Sequence, residues 1–324
     1  MKFKPLGRTG VQVSELCFGT MSFGGDADEA TSAALYKATR DAGINFYDCA
    51  DQYQKGKSET ILGRLIQGHR DDVVITTKCY NPMGEDINAR GTSRRHVTRA
   101  VEASLKRLGT DRVDVLFLHH YDKRTPLEES VRALEDMVRS GKVLYPAVSN
   151  WSAWQTQRAV DLQERNGWTR LQLIQPMYNL VKRQAEVELL PMAEANGIGC
   201  IPYSPGAAGL LSGKYSKGDD KGRLKTNKMY EARYGEAWAF EVADNFVAFC
   251  KGKGLHPVST AVAWVAAHPG VTAPIIGARS LEQLKDSLAA VNVPMTPALR
   301  AEIAALSPTP PPATDRLEEQ KPAK

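Results

Sequence analysis

No run of 18 apolar residues occurs in the 324-residue chain, and its opening Met1-Lys2-Phe3-Lys4-Pro5 carries no apolar stretch. The first absence argues against a membrane-spanning helix and the second against a signal peptide, so a cytoplasmic protein without a membrane partner is expected. Cysteine is sparse: Cys17, Cys49, Cys79, Cys200 and Cys250 are odd in number and lack any C-x-x-C spacing. That excludes a disulfide framework and suits buried free thiols in a reducing compartment. No H-E-x-x-H is present, and His119 and His120, adjacent in a predicted strand, are expected on opposite faces where they cannot share a metal. No metal site is therefore expected. No G-x-G-x-x-G follows a predicted strand, which excludes a dinucleotide held by that fingerprint. Residues 206–214 fail as a P-loop, because residue 208 is Ala and Gly213-Lys214 runs into Tyr215. Charge of one sign is not concentrated either. The 42 basic and 37 acidic residues leave a net +5 scattered along the chain, and a helix start explains Arg94-Arg95. A nucleic-acid partner is not expected.

What is present is ordinary globular composition, 42% hydrophobic and 24% charged, enough for a core of normal size. β-Branched runs alternate with stretches of helical period. Strands are predicted at 15–18, 45–48, 73–78, 113–119, 143–150, 173–177, 199–203 and 271–276. Helices are predicted at 28–42, 59–66, 93–108, 126–140, 153–164, 184–196, 235–253 and 280–291. Ser93 is placed as an N-cap, while Gly43, Gly109, Gly141 and Gly197 follow helix ends. Trp264, in a segment of helical period, reads as core.

Eight strands alternating with helices describe parallel βα units but do not separate a closed barrel from an open sheet. The polar residues do better. Asp48, Lys78, His119, Asn150, Gln175 and Tyr203 each stand at the C-terminal end of a predicted strand, and only a closed ring converges them on one rim. The expected fold is an α/β (β/α)8 TIM barrel spanning 1–307 as one domain. It has an N-terminal hairpin at 1–14 capping its floor, rim loops at 80–94 and 206–229, and a poorly ordered tail at 308–324.

At these residues the chain resembles the aldo-keto reductase superfamily. The likeness rests on Phe18-Gly19-Thr20-Met21, Asp48-x-Ala50-x-x-Tyr53-x-x-Gly56-x-Ser58-Glu59, Thr77-Lys78 and Leu105-x-x-Leu108-x-x-Asp111-x-x-Asp114-x-x-x-x-His119. It continues through Val148-Ser149-Asn150, Gln175-x-x-Tyr178-Asn179, Tyr203-Ser204-Pro205, the run from Gly209 to Tyr215, and Gly277-Ala278-Arg279. The resemblance implies NADPH-dependent reduction of an aldehyde or ketone by reversible hydride transfer. Tyr53 would be the general acid, Lys78 the cation that lowers its pKa, Asp48 the partner of Lys78, and His119 a neutral imidazole orienting the carbonyl. The cofactor would meet Gly19, Thr20, Met21 and Asp48. Ser149, Asn150 and Gln175 would hold its carboxamide, with Tyr203 stacked on the nicotinamide. Ser204, Leu210, Ser212 and Lys214 would follow the pyrophosphate. Gly277, Arg279, Ser280 and Gln283 would take the adenosine end, where a guanidinium favours NADPH through a 2′-phosphate. Ile276, Ser287 and Ala147 depart from the family's usual Pro, Asn and Gly. Phe23, Tyr80 and Trp151 are candidate walls of the substrate pocket, and Cys49 and Cys79 read as thiols facing the helix layer.

Two other functions fit some of the same residues: a Schiff-base barrel enzyme using Lys78, and a nucleotide-sensing partner subunit with little turnover. The expected partner is a small carbonyl compound, and the expected state a monomer or weak homo-oligomer.

Overall fold

The computed structural model of the protein describes residues 1–216 and 222–320. A hairpin of β1 (Phe3–Pro5) and β2 (Gln12–Ser14) precedes eight strands: β3 (Cys17–Gly19), β4 (Phe46–Asp48), β5 (Val74–Cys79), β6 (Val113–Leu118), β7 (Val143–Ser149), β8 (Leu173–Gln175), β9 (Gly199–Cys200) and β10 (Ile275–Ile276). The eight run parallel in the order β10-β3-β4-β5-β6-β7-β8-β9. Pro202 and Pro274 bring no N–H to the remaining seam. There Thr272 donates to the Cys200 carbonyl at 2.8 Å and Ile275 to that of Pro202 at 2.9 Å, closing the ring. This is the (β/α)8 barrel expected from the strand-end residues.

Outside the ring lie α1 (Glu29–Asp41), α2 (Lys57–Leu65), α3 (Arg94–Leu108), α4 (Leu127–Arg139), α5 (Ala153–Asn166) and α6 (Leu189–Asn196). They are followed by α7 (Arg223–Thr226), α8 (Lys228–Tyr234), α9 (Ala237–Gly252), α10 (Pro257–Ala266), α11 (Leu281–Leu288) and α12 (Pro297–Ala304). The punctuation predicted from sequence is observed: Ser93 accepts from the His96 N–H, and Gly109 and Gly197 end α3 and α6 at φ 63° and 65°. The helix expected over 184–196 is broken, a 3₁₀ turn at Gln184–Glu186 preceding α6. The rim segment 206–229 is not simple loop: it holds a 3₁₀ turn (Ala207–Ser212), α7 and the start of α8, while residues 217–221 lie outside the described residues. Of the segment 308–324, residues 308–320 are described and carry one 3₁₀ turn, Leu317–Gln320.

Strand alternation divides the interior into two apolar clusters. Cys17, Phe46, Val74, Val115, Phe117, Ala147, Leu173 and Ile201 fill the barrel itself, joined from below by Leu6 and Val13 of the hairpin. Their neighbours Phe18, Tyr47, Ile75, Leu116, Leu118, Val148 and Ile174 face the helices. The hairpin thus plugs the floor. Its Gly7 is required there, since at φ 57° an added Cβ would stand 2.4 Å from the Gln172 carbonyl oxygen. Ala147 is part of the inner packing, as its size suggests.

Among the described residues no helix is long and apolar enough to cross a membrane.

Candidate active site

The inward-facing register that fills the barrel with apolar side chains delivers polar ones at its upper end. Two residues beyond Phe46 comes Asp48; beyond Val74 come Thr76 and then Lys78; beyond Phe117 comes His119. Ser149 and Gln175 follow Ala147 and Leu173 in the same way. Lys78 is fully buried, and its three ammonium hydrogens have three acceptors: Asp48 Oδ2 at 2.6 Å, the Cys49 carbonyl at 2.7 Å and the Tyr53 hydroxyl at 3.1 Å. Burial alone would lower the Lys78 pKa, but the Asp48 charge, with the bonds to Asp48 and Tyr53, outweighs it and holds the ammonium above its ordinary range. Asp48 in turn accepts from Thr76 Oγ1 at 2.7 Å and Gln175 Nε2 at 2.9 Å. A buried ion pair of this kind survives because nearly every lone pair and hydrogen is engaged.

Tyr53 sits at the head of a strained turn. Gln54 and Lys55 after it adopt left-handed conformations at φ 50° and 55°, which cost non-glycine residues about 1–2 kcal/mol each. The start of α2 holds the turn in place. Ser58 donates to the Thr20 carbonyl at 2.8 Å, and the fully buried Glu59 accepts from Thr77 Oγ1 at 2.5 Å and Arg107 Nε at 2.6 Å. Lys78 acts on the Tyr53 pKa in the expected direction, but burial is the larger influence. Burial pushes that pKa up to about 12; Lys78 pulls it back, but the Asp48 charge works against that pull. The phenol keeps its proton firmly rather than being acidified overall.

His119 is buried, and burial, then the charges of Lys78 and His120, press its pKa well below the usual imidazole range, so it is neutral. Asn81 Nδ2 lies 3.5 Å from its Nδ1, a long contact in which the amide can only donate. With the amide nitrogen as donor in that contact, the ring proton is assigned to Nε2. The expected opposition of His119 and His120 does not occur. β6 ends at Leu118, so alternation no longer applies, and the two rings stack 5.1 Å apart at 10° with both lining the same cavity.

Above this set the remaining strand ends form one hydrogen-bonded wall. The Tyr203 hydroxyl donates to Asn150 Oδ1 at 2.8 Å, Asn150 Nδ2 donates to the His119 carbonyl and to Ser149 Oγ, both at 3.0 Å, and Ser149 donates to the Gln175 carbonyl at 2.9 Å. Asn150 takes a φ of 58° to do so. A cavity of about 690 Å³ runs from Tyr53 and His119 past this wall to Arg279 and Gln283. Gly19, Met21, Asp48, Ser149, Asn150, Gln175, Tyr203, Ser204, Ser212, Lys214, Gly277, Arg279 and Gln283 of the predicted cofactor set all line it. Thr20, Leu210 and Ser280 do not: Thr20 is buried and bonds the Asp48 carbonyl, Leu210 is core, and Ser280 caps α11.

The three pocket candidates fare differently. Phe23 is packed on Phe18 in the helix layer, and Trp151 is buried against Tyr121; neither lines the cavity. Tyr80 touches the His120 ring at 5.1 Å without lining the cavity. Sequence reasoning missed Gln52, Asn81, Met229, Tyr230 and Arg233, all of which line it. Thr76 was also missed, though its place two residues before Lys78 puts it on the same face. Cys49 and Cys79 face the helix layer, and burial pushes their thiols up, Cys49 to about 12, leaving them unreactive.

The fold and site are those of a closed parallel barrel with a buried Lys–Asp pair beneath a cavity-facing tyrosine. Residues 15–308 match the Aldo/keto reductase family, and the chain belongs to it. It is 40% identical over 304 residues to the uncharacterized oxidoreductase YrpG of Bacillus subtilis (strain 168), covering 90% of this chain and 92% of that one. It is 33% identical over 329 residues to the versiconal hemiacetal acetate reductase of Aspergillus parasiticus, covering 92% and 94%. A probable voltage-gated potassium channel subunit beta of Oryza sativa subsp. japonica is 35% identical over 302 residues, covering 90% and 92%.

Proposed function

We propose that the protein reduces an aldehyde or ketone to the alcohol with NADPH, Tyr53 giving the proton. The observation that carries this reading is the fully satisfied ammonium of Lys78, which donates to the Tyr53 oxygen beside the cavity.

The residues suit a nicotinamide dinucleotide. The cavity is long, its nucleotide end is lined by Lys214 and Arg279 against Asp286, and Asp48 is already paired with Lys78, so the balance favours phosphate. Gln175 spends only its amide nitrogen on Asp48, leaving its oxygen to accept from a carboxamide. Ser149, Asn150 and Gln175 would hold the carboxamide, Tyr203 would pack on the ring, Ser212 and Lys214 would meet the pyrophosphate, and Arg279 with Gln283 the adenosine end. When bound, the reduced nicotinamide would supply the hydride to the carbonyl carbon.

This chain's own residues do the rest. The Tyr53 hydroxyl moves its proton to the carbonyl oxygen, and the Lys78 hydrogen bond stabilises the phenolate left behind. Neutral His119 donates from Nε2 to the same oxygen and fixes its angle. A tyrosine held near 12 in the resting site gives up its proton only as negative charge develops on that oxygen, so general acid catalysis of about 10²–10⁴-fold is coupled to the transfer.

The test is NADPH oxidation against aldehydes and ketones graded by size, with NADH as control. Turnover of several carbonyls with NADPH preferred supports the reading; no oxidation with any of them overturns it. The likeness to a channel beta subunit favours a second reading, a nucleotide-sensing partner subunit. Tight NADPH retention with negligible turnover across the panel would select it. A Schiff-base role for Lys78 is disfavoured, because all its hydrogens are engaged and its charge is reinforced.

A further inference from the structure

The cavity contains one guanidinium that neither the proton relay nor the expected cofactor contacts employ. Arg233, on α8, lies with its Cζ 5.8 Å from the Tyr203 ring centroid and 5.6 Å from that of Tyr230. It is half-buried, lines the cavity, and has neither a hydrogen bond nor a carboxylate partner among the described residues. Two ring contacts and no hydrogen-bond partner leave its N–H groups available, which suits bidentate recognition of a carboxylate. Its position is at the reacting end. Tyr203 is joined through Asn150 to the His119 carbonyl, and Arg233 is close enough that its charge, after burial, depresses the pKa of His120, which stacks on His119. Lys214 and Arg279 arise from different segments and are already assigned to the nucleotide.

We propose that Arg233 anchors a carboxylate on the substrate, so that the carbonyl compounds preferred here carry a negative charge away from the reacting group. The inference rests on the carbonyl-reductase reading above and deepens it. A free guanidinium in a partly desolvated pocket penalises a neutral substrate that leaves it unpaired, and rewards an anionic one of the same shape. The ring of His120, stacked on His119 and lining the same cavity, offers an adjoining flat surface for an aromatic or short aliphatic spacer.

The experiment compares 4-carboxybenzaldehyde with its neutral isostere 4-nitrobenzaldehyde in the wild type, Arg233→Gln and Arg233→Lys, with NADPH binding measured separately. Charge-assisted bonds of this kind predict that Arg233→Gln raises KM for the carboxylate compound by about 10- to 100-fold. The neutral isostere and NADPH affinity should change less than about threefold, and Arg233→Lys should recover part of the loss. Equal losses on both aldehydes, or an unchanged KM for the anion, overturn the anchor while leaving the reductase reading intact. Binding of 4-(hydroxymethyl)benzoate, followed by tryptophan fluorescence, supplies a readout without turnover. If no carbonyl is reduced, weaker binding of that anion by Arg233→Gln still supports the anchor, and unchanged binding overturns it.

Discussion

Lys78 Nζ donates to the Tyr53 hydroxyl oxygen across 3.1 Å, and this one bond sets the direction of the phenolic proton. An ammonium has no lone pair, so the tyrosine oxygen must be the acceptor and its own hydrogen must point elsewhere. Removing only that hydrogen is the cleanest test. Tyr53→Phe is expected to bind NADPH with nearly wild-type affinity and to lose about 10²–10⁴-fold in kcat. Cofactor fluorescence titration and steady-state kinetics check it, and turnover close to wild type would remove Tyr53 from the reaction.

Breaking the pair beneath Tyr53 should cost stability as well as activity. Lys78→Met leaves Asp48 buried with no counter-charge, a situation worth about 3–5 kcal/mol. Urea unfolding should show that loss, and Asp48→Asn added to Lys78→Met should return part of it.

Asp51 predicts a dependence of stability on pH. It is fully buried, its carboxylate oxygens have no hydrogen-bond partner among the described residues, and burial followed by the Glu59 charge pushes its pKa up to about 7. A carboxyl raised in the fold stabilises fully below its unfolded pKa of about 4, and that contribution is lost as pH rises through the folded value. Between pH 4 and 8 the wild type should therefore lose a few kcal/mol from this group, at about 1.4 kcal/mol per pH unit. Asp51→Asn should flatten that part of the profile in urea unfolding at a series of pH values. The same slope in both proteins would assign it to other groups.

Cofactor preference should depend on Arg279. Its guanidinium lies 3.8 Å from Asp26 on the exposed side of the cavity, a weak pairing that a phosphate displaces. Arg279→Ala is expected to weaken NADPH binding by about tenfold and to leave NADH nearly unchanged. Equal losses for both nucleotides would place Arg279 elsewhere than on a 2′-phosphate.

The floor of the barrel offers a test of the fold itself. Gly7→Ala brings a Cβ against the Gln172 carbonyl at a positive φ, and a loss of about 2–3 kcal/mol is expected in thermal or urea unfolding. Wild-type stability would mean that the hairpin does not press on the barrel there.

The strand-end residues and their inward register were legible because a two-residue period is a local property of the chain. Phe46 and Asp48, Val74 and Lys78, Phe117 and His119 share a face by spacing alone, and closure of the ring brings them together. The same logic failed one residue later. His120 was placed opposite His119 by alternation, but the strand stops at Leu118 and the backbone turns both rings into the cavity. Phe23 and Trp151 look like pocket walls beside site residues, yet both pack outward, which depends on the helices laid over them.

The amino-acid sequence by itself determined which side chains face the barrel axis, where the helices are capped, and that a phenol, an ammonium, a carboxylate and an imidazole meet at one rim. Tertiary structure alone decided their protonation and the company they keep. The Tyr53 pKa rises because desolvation, a property of everything packed around it, outweighs its nearest cation. Arg233 enters the cavity from α8, far along the chain from Tyr53 and His119, and no local pattern encodes a contact made by folding back over that distance.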